Sequence, residues 1–210
     1  MKEHNLYQNN LRNDVLDFIK LNPFQFKSIL EIGGGGGYTS RELSLRYKAE
    51  ATNLDIDLPQ NRSKSINHIK GDICEELTIE KLKSKNFDLI LALDVIEHIK
   101  DTKLIFQTLD KITKRGNKAL VSLPNVKNIR IPYNIYLRNS FPRNKAGIFD
   151  ETHLRWFTKR DIVVWFRNNN FKILSSSYTD HRSFFLKNKI LSKSLGSLLA
   201  PQFIILAEKF

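Results

Sequence analysis

Apolar positions along the chain alternate between short continuous runs and helical-period stripes. Residues 9–20 place Leu11, Val15, Phe18 and Ile19 at helical spacing, and Pro23 closes that segment. Residues 28–32 form a short apolar run that stops at a block of glycines, the pattern of a buried strand. The pattern then predicts a helix over 38–49, a strand over 50–56, a weaker third strand over 68–73 and a helix over 75–85. The run Phe87 to Leu93 is the clearest strand of the chain, followed by a helix over 101–113 and a fifth strand over 118–123. Strands alternating with helices predict a mostly parallel sheet with helices on both faces, a Rossmann-like α/β fold.

After Pro124 the alternation breaks. Residues 124–158 are rich in Asn, Arg, Pro and aromatics, with room for only a short helix. A long irregular insertion in a compact domain is usually functional, so this stretch is read as a substrate lid. Regular structure resumes with a helix over 159–168 and an antiparallel pair of strands over 171–178 and 202–208. Between those strands, 184–199 reads as a basic helical stretch. The expected organisation is one domain over 1–210, with residues 1–27 as an N-terminal helical cap.

Composition narrows the classes of function. A single cysteine, Cys74, excludes an internal disulfide and a multi-cysteine metal site, and no metal is expected. The polar start lacks the apolar core of a secretory signal, and no run approaches the ~20 apolar residues of a membrane span. A cytoplasmic protein is therefore expected. The net charge of +12 is unevenly placed: residues 1–109 hold 15 basic and 16 acidic side chains, residues 110–210 hold 19 and 6. The second half is either a solvated basic surface or a face turned to an anion, whether a phosphorylated substrate, nucleic acid or an acidic membrane. Lys187, Lys189 and Lys193 among apolar neighbours allow a peripheral membrane contact as well as packing on the domain itself.

The candidate chemistry starts at Glu31-Ile32-Gly33-Gly34-Gly35-Gly36-Gly37. A strand running into glycines and then a helix suits close approach of the backbone to a ligand. The dinucleotide pattern G-x-G-x-x-G fails in every register, ending on Tyr38, Thr39 or Ser40, and the G-x-x-x-x-G-K-[ST] phosphate loop is absent. The pattern that fits is an acidic residue followed by x-G-x-G-x-G over Glu31, Gly33, Gly35 and Gly37, and the carboxylate suits a cationic ligand rather than a pyrophosphate. At the end of the second strand, Asp55 is placed to accept hydrogen bonds from two ribose hydroxyls, with Asp57 as the fallback. Asp72 suits either an adenine amino group, with Ile73 against the ring, or a helix cap. Asp94 to Ile99 follows the fourth strand at the same rim of the sheet, where His98 could orient or deprotonate a nucleophile or simply line the rim.

Together, EIGGGGG, NLDID, KGDIC and FDLILALDVIEHIKD resemble the class I S-adenosylmethionine-dependent methyltransferases in order and spacing. Ser122 to Asn125 and the block from Gly147 to Thr158, including DETHLRWFT, resemble a narrower group of small bacterial methyltransferase-domain proteins, some associated with polysaccharide or natural-product biosynthesis. The resemblance spans residues ~28 to 175 and the closing strand. It implies a seven-stranded sheet with an antiparallel last strand, and S-adenosylmethionine as cofactor. Glu31, Gly33, Gly35 and Gly37 would line the methionine part, Asp55 and Ile56 the ribose side, and Asp72 and Ile73 the adenine. Leu93 and Asp94 would border the sulfonium. Glycines at Gly34 and Gly36 depart from the pattern and should loosen the loop. The fourth strand ends in Leu-Asp-Val rather than Asn-Pro-Pro-Tyr, which argues against methylation of base amino groups.

The expected activity is transfer of a methyl group to an oxygen or nitrogen of a small molecule, such as a sugar or a phosphorylated or lipid-linked saccharide. His98 and His153 are the candidate catalytic groups, and Asp150 and Arg155 the candidate substrate contacts. Two alternatives remain: an RNA or protein methyltransferase docking through the basic half, and a basic scaffold that keeps the cofactor fold without the activity. Nucleic acid is not the favoured partner, because no separate RNA-binding module is visible.

Overall fold

A computed structural model describes residues 11–179 and 196–210. In chain order the elements are α1 (Asn13–Leu21), β1 (Ser28–Ile32), α2 (Tyr38–Tyr47), β2 (Glu50–Asp55), β3 (Asn67–Lys70), α3 (Glu76–Lys83), β4 (Leu89–Leu93), α4 (Thr102–Ile112), β5 (Lys118–Pro124), α5 (Arg130–Pro132), α6 (Lys159–Asn168), β6 (Phe171–Tyr178) and β7 (Gln202–Lys209). The strands form one seven-stranded sheet in the order β3-β2-β1-β4-β5-β7-β6. β1 to β5 are parallel, and β7 runs antiparallel between β5 and β6. This is the seven-stranded, mostly parallel sheet with an antiparallel last strand that the family resemblance implies.

Strand side chains alternate between two cores, as the two-residue period of a pleated strand requires. Along β4, Leu89, Leu91 and Leu93 enter a core with Val15, Phe18 and Ile19 of α1 and Leu43 of α2. Ile90 and Ala92 enter the opposite core, with Ile79 and Leu82 of α3, Phe106 and Leu109 of α4, and Ile162 and Phe166 of α6. Both faces of β4 are thus buried, which explains its unbroken apolar run. Two helix starts carry local caps: Asp101 accepts the Lys103 and Leu104 N–H groups, and Thr158 with Asp161 forms a capping box on α6.

β3 ends at Lys70, three residues short of the expected boundary. Gly71 donates its N–H back to the Asp55 carbonyl, and Asp72 Oδ1 accepts the Cys74 N–H at 2.8 Å, turning the chain. The basic helical stretch expected over 184–199 lies mostly outside the described residues; residues 196–199 form a helical turn. Among the described residues, no helix is long and apolar enough to cross a membrane.

The stretch 124–158 is irregular apart from α5 and a π-type turn over Tyr133–Leu137. It is nonetheless anchored. Asn125 Nδ2 donates to the Ser197 and Ala200 carbonyls, and Asn128 Nδ2 to those of Leu199 and Ala200. Ile131, Ile148 and Phe149 form a small core of their own, and the Trp156 indole donates to the Ile148 carbonyl.

Candidate active site

The glycine loop joins β1 to α2 at the carboxyl end of the sheet. Gly33, Gly35 and Gly37 have φ of 69°, 53° and 71°, a left-handed region that strongly favours glycine. Space is equally restrictive. A Cβ on Gly33 would lie 2.5 Å from Val95 Cγ2, and one on Gly34 would lie 2.4 Å from Asn53 Oδ1 and 2.6 Å from Glu31 Cδ. The expectation of a looser loop at Gly34 is therefore not supported, because that position is filled from below.

Glu31 is buried directly under the loop, where Oε2 accepts the Ser40 N–H at 2.9 Å. Burial pushes its carboxyl up to about 7, against the pull of Ser40 and Arg12. Asp55 ties the loop to β2: Oδ2 accepts the Gly35 N–H at 2.7 Å, and Oδ1 accepts the Asp57 N–H at 2.9 Å. The second lone pair on each oxygen leaves Asp55 able to receive further donors. Asp57 is exposed and serves this turn.

Beside the loop lies a cavity of about 560 Å³, whose wall includes Gly33, Asp55, Ile56, Asp72, Ile73, Asp94 and His98. This brings together most of the residues singled out by sequence. Ile56 is 68% exposed and presents an apolar face at the rim, while Ile73 is a buried part of the same wall. Cys74 lines the same wall; burial, then Asp72, pushes its thiol up to about 11, so it is not a thiolate nucleophile near neutral pH. Glu31, Gly35, Gly37 and Leu93 support the loop and floor rather than lining this cavity. Leu93 packs with the α1 core.

Asp94 leaves β4 with φ of 56°, unusual for a residue with a side chain. Three donors hold it: Ser122 Oγ at 3.1 Å, Gln202 Nε2 at 2.9 Å and Arg12 Nη1 at 2.6 Å. Arg12 also grips Asp14 and donates its backbone N–H to Thr39 Oγ1 at 3.2 Å, beside the glycine loop. Burial works against its charge, but Asp94 and Asp14 more than offset this and leave the guanidinium more basic than usual. Sequence reasoning did not single out Arg12, whose partner lies 82 positions away with no local motif to link them.

On the other side of the cavity, the turn after β4 meets the 124–158 stretch. The Leu154 N–H donates to the Glu97 carbonyl, and Arg155 Nη2 donates to the Lys100 carbonyl at 2.7 Å. Thr152 Oγ1 donates to Asp150 Oδ1 at 2.6 Å and lies 3.1 Å from His98 Nδ1. His98 and His153 rings meet edge to face, with centroids 4.9 Å apart. Glu97 is fully buried, and His153 Nε2 lies 4.0 Å from its Oε1. Burial, then Asp94, pushes the Glu97 carboxyl well above its usual range; burial, then His98, lowers His153. The two candidate catalytic histidines and Asp150 are thus neighbours, while Arg155 ties the 124–158 stretch to the turn after β4.

A glycine loop over a buried acidic residue, a carboxylate at the end of β2 and this strand order together fit the fold of the S-adenosylmethionine-dependent methyltransferases. Residues 5–176 match the methyltransferase-domain family, and the chain belongs to it. It is 23% identical over 157 residues to a ubiquinone biosynthesis O-methyltransferase of Coxiella burnetii, covering 70% of this chain and 64% of that protein. The chain thus spans less than two thirds of that relative's length. A methyltransferase structure from Archaeoglobus fulgidus superposes with a TM-score of 0.65 at 19% identity, covering 96% of both chains. The phosphoethanolamine N-methyltransferase 2 of Haemonchus contortus, solved with S-adenosyl-L-methionine, gives 0.59 at 14% identity over 97% of this chain and 54% of that one.

Proposed function

We propose that the chain transfers a methyl group from S-adenosylmethionine to an oxygen of a small-molecule acceptor, with a sugar or phosphorylated saccharide as the class to test first. The observation that carries this reading is the shared cavity, in which Asp55, Ile56, Asp72 and Ile73 lie at one end and Asp94 and His98 at the other. Its volume suits a nucleoside-sized ligand. The residues fit the cofactor's chemistry: Gly33 lies in the cavity wall with φ of 69° and no side chain to hold a ligand off its backbone, and the wall carries carboxylates.

Asp55 would hold the ribose hydroxyls, Asp72 and Ile73 the adenine, and Glu31 with the loop backbone the amino end of the methionine part. Arg12 is a half-buried cation beside the loop, and the one Nη1 N–H left over from its bonds to Asp94, Asp14 and Gln202 would meet a ligand carboxylate. When bound, the cofactor supplies an electrophilic methyl group on a sulfonium. The protein's task is then to hold the acceptor ~3 Å from that carbon, in line with the leaving sulfur. His98 accounts for the preference for oxygen. It lines the cavity wall, and its Nδ1 is engaged at Thr152, so Nε2 is the nitrogen available to take a hydroxyl proton. The lid, with Lys100 and Arg155 near its seam, supplies positive charge for an anionic acceptor.

Calorimetry with S-adenosylhomocysteine tests the reading directly. One site per chain is expected, with binding lost or strongly weakened in Asp55→Ala. A folded chain that binds no cofactor at millimolar concentration would refute it.

A further inference from the structure

Glu97 has no exposed surface, and neither carboxylate oxygen has a hydrogen-bond partner. Stranding an ionised carboxylate in this way is costly unless something positive meets it. Arg12 does not do so by hydrogen bond, since its guanidinium is committed to Asp94, Asp14 and Gln202. His153 is also buried and its Nδ1 is unpartnered, leaving a second orphaned donor or acceptor in the same pocket. One ligand atom each from Glu97, His98 and His153 lies within 4.8 Å of the others.

We propose that Glu97, His98 and His153 bind a divalent metal ion at the acceptor end of the cavity. First-row ions sit ~2.0–2.2 Å from imidazole nitrogen and carboxylate oxygen, so closing this set needs shifts of under ~1 Å per side chain. Two imidazoles and one carboxylate, with no thiolate, suit zinc, ferrous iron, cobalt or manganese rather than calcium or magnesium. The outer partners of His98 are those a metal ligand needs. Thr152 Oγ1 lies 3.1 Å from Nδ1 and donates its own hydrogen bond to Asp150, so it accepts from the Nδ1–H, which fixes the ring and leaves Nε2 as the unprotonated nitrogen. This departs from the sequence expectation of no metal, which considered cysteine clusters only.

Three protein ligands leave coordination positions open, and His98 places the ion on the cavity wall. With its Nε2 on the ion, His98 would give up the role of base, and an acceptor hydroxyl taken up there would lose its proton to solvent and be held as the oxyanion. That consequence rests on the methyl-transfer reading; ion binding itself does not.

The test uses the full chain, stripped with a chelator and titrated with zinc and with cobalt. About one ion per chain is expected, with a visible cobalt absorption band and a raised melting temperature. Glu97→Gln and His98→Asn should each weaken the ion at least about tenfold. His98→Asn changes a partly exposed side chain and keeps the test usable if Glu97→Gln fails to fold. A folded chain that takes up neither ion at millimolar concentration overturns the proposal. So does binding undiminished in folded His98→Asn. S-adenosylhomocysteine binding by the same stripped chain separates the two readings: cofactor without metal removes only the ion, and metal without cofactor removes only methyl transfer.

Discussion

The Arg12 guanidinium lies 2.6 Å from Asp94 Oδ2, joining the segment that opens α1 to the end of β4. Both side chains are mostly buried, at 17% and 20% exposure, so the pair is shielded from the screening that makes surface ion pairs weak. Breaking it strands a partly buried charge on either side. Arg12→Gln and Asp94→Asn should each lower stability by about 1–3 kcal/mol, and the double variant should lose less than the sum. Denaturant melts of the four proteins measure that coupling; strict additivity would mean the two groups act independently. Arg12→Gln should also weaken cofactor binding, which a purely structural clamp would leave unchanged in the folded variant.

Glycines in the chain divide by what surrounds them. Gly33 and Gly116 both have positive φ, 69° and 86°, but a Cβ on Gly33 strikes Val95 whereas one on Gly116 meets nothing within 4 Å. Gly116→Ala should cost only the backbone strain, about 1–2 kcal/mol. Gly33→Ala should cost more in stability and abolish cofactor binding, because Val95 has to move into the cavity it borders. Equal melting temperatures for the two variants would show that the loop adapts freely.

Asp55 has two tasks that separate by substitution. Its Oδ2 holds the Gly35 N–H, and the cavity side is free for ligand donors. Asp55→Asn keeps an acceptor oxygen for the loop but gives up charge and one acceptor. It should retain most of the stability and lose about tenfold to a hundredfold in cofactor affinity, the worth of one or two charge-assisted hydrogen bonds. Asp55→Ala should lose both. Unchanged affinity in Asp55→Asn would place the ribose elsewhere.

These residues also show what a one-dimensional reading can reach. β1 and β4 were legible because both faces are buried, and an unbroken apolar run allows few other interpretations. β4 nevertheless begins at Leu89 rather than Phe87, since Asp88 spends its carboxylate on the Lys27 and Ser28 N–H groups. β3 was overrun because Ile73 continues its apolar pattern, while the turn at Gly71 depends on a bond to the Asp55 carbonyl on the neighbouring strand. The cofactor side of the site was legible because it sits on successive strand ends, and chain order then equals position along the rim. Arg12 and the pairing of Glu97 with His153 were not, because each joins segments far apart in sequence. In a string of letters Glu97 is only part of a helix start; its burial and missing partners exist only once the chain at His153 and Leu154 packs against it.

Glu31 gives the site a pH dependence with a definite sign. Its carboxyl titrates at about 7 in the folded chain instead of near its ordinary 4.5, because burial disfavours the charge. A raised value in the folded state means the protonated form favours folding. That contribution is full below the unfolded value and disappears as pH rises through about 7. A ligand ammonium bound over the loop reverses the preference, since it is attracted to the ionised form beneath. At pH 6 about a tenth of the free protein carries that form, and at pH 8 about nine-tenths. Affinity for S-adenosylhomocysteine should therefore rise about tenfold from pH 6 to pH 8 and level off above, while the ligand's own amino group is still protonated. Glu31→Gln keeps an acceptor for the Ser40 N–H but cannot ionise, so its affinity should be low and flat across the same range. Calorimetry at three pH values on both proteins measures this. A pH-independent parent would mean that Glu31 only braces the loop, and a step that survives in Glu31→Gln would assign the titration to another group.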